Sequence, residues 1–490
     1  MKPTNATADS TPACTNAQEP GPALAALATQ FHRGIAFAGL ALLAFVAHRF
    51  RLEFSTRAAA SYLLGFTLVI GGMTGARLKP VHRVATAVLA SMVGLVLLGG
   101  EATLEWITRY SFVREQRAVA SQIGIPFDDR TIPQVVSDLR ANGTPAVPSV
   151  VPKVMLGYTV STSSPQSAFN ARFFPLGGIS RRPTVQLCIE DGRYPVYLSD
   201  AHGFNNPADA WDSLPAQLLF IGDSYTHGYC VQQDSSLPDR FRGRWPRTVN
   251  LGSGGSGPLS ELATLQEFGL SRRAPRVFWM YSENDLPDLA NERAHPVLSR
   301  YADTAFTQHL IDRQAEVDSA LGPWVDRLYS RGMAPRGHGE HGLRQLITLA
   351  AIRQAIWPER SAGELTDPLS QVPLFRQILT SAADRVTAAG GRMFFVFLPA
   401  WERYYKPQAV AGDRTRTEVL ATARQLGLQV IDLGPVFGGA LDRDRLWGRR
   451  GVANGHYSGA GYDLAAKAII AFIDSVDATR KTPADGRRRP

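Results

Sequence analysis

Cysteine is nearly absent. Cys14, Cys188 and Cys230 are the three in a chain of 490 residues, so at most one disulfide can form. Cys14 lies in a polar tail with no apolar run before it, which gives no support to a lipid-anchored cysteine. Cys188 and Cys230 flank the stretch around a serine-bearing turn; they either pair in an exported domain or remain two buried thiols. No long stretch has the composition of a disordered chain, and the length does not limit core size. The net charge of +9 lacks the aromatic-and-basic motif that nucleic-acid binders interleave with their charge. Part of the excess lies at Arg49, Arg51, Arg57, Arg77, Lys79 and Arg83, and part in the tail Arg487-Arg488-Arg489. Nucleic acid is therefore not an expected partner.

Long apolar runs, by contrast, are present. Residues 34–47, 58–76 and 84–100 are apolar, and the last two approach the roughly 20 residues a bilayer-crossing helix needs. The run Tyr62 to Ile70 shows no polar stripe, as a helix on a soluble surface would. Basic residues cluster in the short connections, at headgroup level. The pattern predicts a polar tail over 1–32 and a membrane anchor of three helices over 33–105. Lysine and arginine counts on the two sides nearly balance, so loop charge does not orient the anchor.

Residues 106–214 form a mixed accessory or linker region with strand-like pieces at 153–160, 184–188 and 195–198. From Gln217 the pattern alternates strand and helix, with strands expected at 218–221, 248–251, 276–281, 392–398 and 428–433, and helices such as 258–270 and 374–388 between them. Alternation of this kind predicts a parallel sheet covered by helices on both faces. A mostly helical insertion is expected at about 289–374, either capping the site or purely structural. A basic tail covers 479–490.

Four short blocks carry chemistry. Gly222-Asp223-Ser224 follows the first strand of this sheet, and the glycine-rich Asn250-Leu251-Gly252-Ser253-Gly254-Gly255-Ser256-Gly257-Pro258 follows the second. Tyr281-Ser282-Glu283-Asn284-Asp285 follows the third, and Gly455-His456-Tyr457-Ser458 lies near the C-terminus. Strand ends in an open α/β sheet share one rim, where ligands bind. A hydroxyl, backbone N–H groups of a glycine turn, a side-chain amide and an imidazole are the parts acyl transfer requires.

These blocks, in this order over about 215–473, resemble the SGNH (GDSL-like) hydrolase family. The resemblance implies a three-layer, flavodoxin-like parallel sheet over 215–478 with a helical insertion, preceded by transmembrane helices. It also implies Ser224 as nucleophile, His456 as general base, and Gly255 and Asn284 as oxyanion donors, with no cofactor or metal. Asp223 is expected to brace the turn. Many members carry an aspartate two or three residues before the histidine; here those positions are Asn454 and Ala453. Either Asn454 orients the imidazole, or the site is a dyad, or a carboxylate such as Asp432, Asp442 or Asp444 arrives from elsewhere.

The resemblance extends to membrane-tethered bacterial members, which have a segment like Tyr197–Pro207 before the serine block; it either lines the rim or is a turn-rich connector. It implies an esterase or acyltransferase on the periplasmic side of an inner membrane, acting on O-acyl, most plausibly O-acetyl, groups of cell-envelope or exported polysaccharide. A transferase needs a membrane partner to supply the acyl donor. The rival readings are a lipid esterase or thioesterase, and a degenerate glycan-binding assembly component.

Competing motifs carry less. Gly252-x-Gly254-x-x-Gly257 fits a dinucleotide fingerprint, but the acidic residue expected about 20 positions on is replaced by Arg272-Arg273. His338-Gly339-Glu340-His341 has metal-like spacing in a glycine-rich stretch. Ser224 lacks the Gly-x-Ser-x-Gly elbow, which argues against the α/β-hydrolase fold.

Overall fold

The computed structural model describes residues 19–50, 56–124, 127–128, 130–156, 169, 172–188, 193–303, 305–330, 349–356, 362–405, 410–448 and 455–481. The chain divides into two compact units, Met1–Leu104 with Gln345–Ile352, and Glu105–Arg344 with Arg353–Pro490.

In the first unit the apolar runs are helical: α1 (Pro22–Phe50), α2 (Thr56–Arg77) and the start of α3 (Pro80–Ile123). Among the described residues two stretches, Pro22–His48 and Pro80–Ile107, are long and apolar enough to cross a bilayer, where the sequence predicts three. α1 and α2 meet through glycines. A Cβ added to Gly39 would lie 2.8 Å from the Gly65 carbonyl oxygen, and one on Gly72 would lie 2.5 Å from the Ala36 nitrogen. Phe37, Leu63, Leu95 and Val96 are exposed. Small residues inside the contact and large apolar ones outside is how helices pack in lipid.

The second unit carries a small sheet of β1 (Val147–Pro148), β2 (Pro183–Val185) and β3 (Val196–Leu198), with β1 and β2 parallel and β2 and β3 antiparallel. The strand expected at 153–160 is not there. Pro152 instead opens a helical turn, Pro152–Met155, since its fixed φ suits a first helical position; residues 157–168 lie outside the described residues.

The main sheet follows the sequence closely: β4 (Leu218–Gly222), β5 (Thr248–Asn250), β6 (Arg276–Ser282), β7 (Arg392–Leu398) and β8 (Gln429–Asp432). Their spatial order is β5-β4-β6-β7-β8 and every pairing is parallel. Counted along the chain this is 2-1-3-4-5, the flavodoxin-like order of a doubly wound sheet. β4 is buried throughout, and β6 and β7 are buried beyond their first residue, which explains their unbroken apolar runs.

Side chains alternate between two cores. Leu219, Ile221, Val277, Trp279 and Phe395 face the helices Pro258–Thr264 and Val372–Ala388. Phe220, Phe278 and Phe394 face the helix Gly459–Lys481, stacked at 4.9 and 5.2 Å between ring centres. Helix, sheet and helix make three layers, as expected. The helix expected at 258–270 is divided: a wider turn at Leu265–Gly269 follows Pro258–Thr264. The insertion contains the helix Gln314–Ser330, and residues 331–348 and 357–361 within it lie outside the described residues.

Connections leave β4 toward β5 on one side and reach β6 on the other. The crevice at the carboxyl end of β4 is thus the topological switch point, where doubly wound sheets bind ligands.

Candidate active site

Gly222 ends β4. A Cβ there would lie 2.2 Å from Thr226 Oγ1 and 2.8 Å from the Met280 carbonyl oxygen, so only glycine lets the chain turn this close to β6. Asp223 follows, and its carboxylate accepts the Tyr225 N–H at 2.9 Å. This fixes the turn and sets Ser224 at the start of the short helix Ser224–His227. Ser224 is 9 % exposed, and its Oγ lies 2.9 Å from Nε2 of His456.

His456 comes from the loop before the helix Gly459–Lys481. Its carbonyl accepts the Gly448 N–H at 2.8 Å, and the next residue, Tyr457, donates its hydroxyl to the Pro399 carbonyl at 2.8 Å, beyond the end of β7. The rings of Tyr225 and Tyr229 flank the imidazole at 5.1 and 5.3 Å. Cys188 and Cys230 form a disulfide, which settles the choice between a bridge and two free thiols. Cys230 Sγ lies 3.6 Å from His456 Nδ1.

The glycine-rich turn is bound to both β4 and β5. The Ser253 N–H donates to the Gly222 carbonyl at 3.1 Å and the Gly252 N–H to Asn250 Oδ1 at 2.9 Å. Gly255 has φ +71°, and a Cβ there would lie 2.5 Å from Lys153 Cβ. Among the described residues no protein acceptor takes its half-buried N–H. After β6, Asn284 Oδ1 accepts from Ser282 Oγ at 2.6 Å and Nδ2 donates to Asp288 at 2.8 Å. An amide nitrogen carries two hydrogens, so the Asp288 bond uses one of them.

Several supporting residues were not named individually by sequence reasoning, although the segment Tyr197–Pro207 was. In the segment Tyr197–Pro207, Asn206 Nδ2 donates to the Asn250 carbonyl at 2.7 Å and its Oδ1 accepts the Asn250 N–H at 2.8 Å. Asn205 Nδ2 donates to the His227 carbonyl at 2.9 Å. Asp200 holds the segment together, accepting from the His202 and Phe204 N–H groups and from Asn206 and Trp211. Those two asparagines therefore brace the serine helix and the base of the glycine turn from behind. Their density in polar, turn-forming residues was the available signal.

Glu292 is a second such residue. Its carboxylate accepts from the N–H groups of Gly257, Leu259 and Ser260 at 2.7, 3.0 and 3.3 Å. It fills the helix N-terminus where a pyrophosphate would bind in a dinucleotide fold. The glycine fingerprint is thus satisfied by the protein's own carboxylate.

Behind Ser224 lies a group of buried acids: Asp223, Glu261, Asp285, Asp288 and Glu292. Ser282 Oγ sits 2.7 Å from Asp223 Oδ2, 2.6 Å from Asn284 Oδ1 and 2.9 Å from Asp285 Oδ1. This hydroxyl joins Asp223 to Asp285, and burial raises both carboxyls above their ordinary range. Burial, then neighbouring charge, raises Glu261 and Asp285 well above the carboxylate range, and burial lifts Glu292 to about 7. His227 is pushed down to about 4, by burial and then by the His456 charge, and stays neutral.

The folded state therefore keeps protons that the unfolded chain has lost. The stability this contributes is complete below the unfolded carboxyl values of about 4. It drains as pH climbs through the raised folded values. Neither carboxyl oxygen of Glu261 has a hydrogen-bond partner among the described residues. Glu261→Gln removes an ionisation that only the unfolded chain enjoys. It should raise the melting temperature at pH 8 by about 2–4 °C and bring no gain at pH 4, as measured by thermal unfolding across that range.

The structure brings Ser224 and His456 together and sets Gly255 and Asn284 on turns after the flanking strands β5 and β6. Asn454 and the stretch His338–His341 lie outside the described residues. The alternative carboxylates are engaged elsewhere: Asp432 with Arg416, Asp442 with Arg445 and Asp444 with Tyr405.

No family model and no curated protein matches the chain. Solved structures do. A member of the lipolytic protein G-D-S-L family from Veillonella parvula is 12% identical, covering 53% of this chain and 98% of that one, with a TM-score of 0.30. A catalytic mutant of an acetylxylan esterase from Geobacillus stearothermophilus is 14% identical, covering 53% and 95%, at 0.29. The lipase/acylhydrolase from Enterococcus faecalis is 15% identical, covering 55% and 99%, at 0.30.

Proposed function

We propose that this chain is a membrane-tethered serine ester hydrolase of the SGNH type, acting on small O-acyl groups, with O-acetyl groups of cell-envelope or exported polysaccharide as its substrate class. One observation carries the reading: a serine hydroxyl 2.9 Å from an imidazole nitrogen, at the switch point of a 2-1-3-4-5 parallel sheet.

In the reaction, His456 Nε2 takes the Ser224 proton as Oγ attacks the ester carbonyl. Negative charge grows on the carbonyl oxygen, and the backbone N–H groups of Ser224 and Gly255 and the second amide hydrogen of Asn284 receive it. The imidazolium returns its proton to the departing alcohol, leaving an acyl-serine. Water, deprotonated by the same imidazole, then releases the acid.

Asp223 braces the turn through Tyr225, and its raised carboxyl suits a structural part. The two long apolar helices and the glycine contact between α1 and α2 support tethering in a bilayer. A disulfide supports an oxidising, periplasmic location for the catalytic unit. Transfer of the acyl group to a second glycan hydroxyl, in place of water, would require a membrane partner that delivers the donor.

The test uses the full-length protein in detergent micelles with nitrophenyl esters of increasing chain length. Acetate is expected to be cleaved fastest. A preference for long acyl chains would overturn the substrate class in favour of a lipid esterase. Absence of labelling by a fluorophosphonate probe would overturn catalysis itself and favour the binding component.

A further inference from the structure

The small sheet connects the catalytic rim to a second concave site. At the carboxyl ends of β1 and β2 it meets the rim. Val151 packs on the glycine turn, where a Cβ added to Gly254 would lie 3.1 Å from its Cγ1. Gln186 donates through Nε2 to the carbonyl of Gly228, the cap of the serine helix, at 3.2 Å. At the amino ends of the same strands lies a cavity of about 720 Å³, whose lining includes Arg140, Ser180, Arg181, Arg182 and Asp318. That volume is in the range of ligand sites. At about 3.3 Å per residue, the rise from Arg182 to Gln186 is about 13 Å, so the length of β2 separates cavity from rim.

The charge in this cavity is unbalanced. Arg181 and Arg182 are exposed, and among the described residues neither guanidinium has a hydrogen-bond or ion-pair partner. Arg140 donates to the Ala146 carbonyl at 2.8 Å and pairs with Asp326 at 3.2 Å. Asp318, the acid in the lining, is occupied by neutral donors. One oxygen accepts the Ser180 N–H and the Gln314 amide, both at 2.9 Å, and the other accepts the Ser180 hydroxyl at 2.6 Å.

The backbone is arranged to present both free arginines. Arg181 has φ +53°, a left-handed conformation that arginine disfavours. The Asp200 carbonyl takes its N–H at 3.0 Å, and Ser199 Oγ takes that of Arg182 at 3.0 Å. Successive side chains of an extended strand point to opposite faces. The left-handed residue breaks that alternation, and consecutive arginines line one cavity. Strain held in place by its surroundings points to a use.

A guanidinium is a rigid fork of donors that matches the paired oxygens of a carboxylate or phosphate. We propose that this cavity is a distal anion subsite, in which Arg181 and Arg182 bind the carboxylate or phosphate groups of a polymer whose ester lies at Ser224, so that the substrate class narrows to acidic polysaccharide. The link to Ser224 rests on the esterase reading; binding of the anion does not. A contact this far from the reacting atoms holds ground state and transition state alike, so it acts on KM and leaves kcat nearly constant.

The experiment titrates full-length protein in detergent, by calorimetry, with three probes of matched length: O-acetylated oligogalacturonate, poly(glycerol phosphate) and acetylated xylo-oligosaccharide. At least one acidic probe is expected to bind at least about tenfold more tightly than the neutral xylan, and the tighter of the two names the group. Added salt should shrink this advantage in the wild type, a measurement that depends on no variant. Arg181→Gln/Arg182→Gln should abolish it and raise KM for acetate release from the oligogalacturonate by a similar factor. Both residues are exposed, so thermal unfolding should be unchanged.

Equal binding of acidic and neutral probes, or an advantage that survives Arg181→Gln/Arg182→Gln, would overturn the subsite. If the charge preference is present but no probe loses acetate, the esterase reading falls instead, so the two failures are told apart.

Discussion

Replacing Ser224 by alanine is expected to abolish fluorophosphonate labelling and to lower turnover of nitrophenyl acetate by about 10⁴–10⁶. His456→Ala should cost a similar amount, because the proposed mechanism passes one proton between Oγ and Nε2, which lie 2.9 Å apart. Neither is useful alone. The double variant Ser224→Ala/His456→Ala should therefore be no slower than either single variant, since residues acting as one unit are strongly non-additive. Multiplying losses in kinetics of purified protein would mean that each residue acts independently, and the pairing would have to be abandoned. Ser224 carries no packing burden that alanine cannot meet, so melting temperature should change little.

Gly255→Ala should reduce turnover by about 10²–10³, the usual cost of a lost oxyanion donor, while leaving KM nearly constant. Two causes act together. The residue holds φ +71°, and an added methyl would stand 2.5 Å from Lys153 Cβ. The turn must shift, and its N–H leaves the place where the oxyanion develops. Backbone strain by itself lowers stability too, so a control is needed. Gly427 has φ +73° with open space around its Cβ position, so Gly427→Ala should lower the melting temperature without touching kcat. If Gly255→Ala behaves like that control, Gly255 is a turn former and not a donor.

The main sheet was legible because its central strands are buried on both faces and so read as continuous apolar runs. β7 was placed to the residue, 392–398, and the others within a residue or so. The positions of Ser224 and Asn284 on the rim were legible for the same reason, since each comes after such a run, whereas Gly255 follows the short edge strand β5.

The short accessory elements were not legible. Residues 153–160 look strand-like, yet Pro152 starts a helical turn there, and a proline at a first helical position outweighs the apolar residues after it. Nor does sequence spacing foretell that Glu292 would satisfy N–H groups 33 to 35 positions earlier, or that Asn206 would reach Asn250. Such bonds join segments far apart in the chain, and only tertiary packing brings them together. Pairing of Cys188 with Cys230 was legible as an option. Its position against His456 was not, because Cys230 gives no outward sign of the left-handed backbone that aims its sulfur.

The carboxylate of Glu292 also bears on where a replacement for the insertion can be joined. A helix running Asp285–Glu292 starts just after Asn284, and its last side chain clasps the amides of Gly257, Leu259 and Ser260. The amide-bearing corner and the glycine corner are thus riveted by one two-turn rod. A graft or deletion that cut at 289 would sever the rivet and let both corners drift. The exchangeable part of this fold should therefore start at Arg293, and a different cap is best joined to the scaffold there.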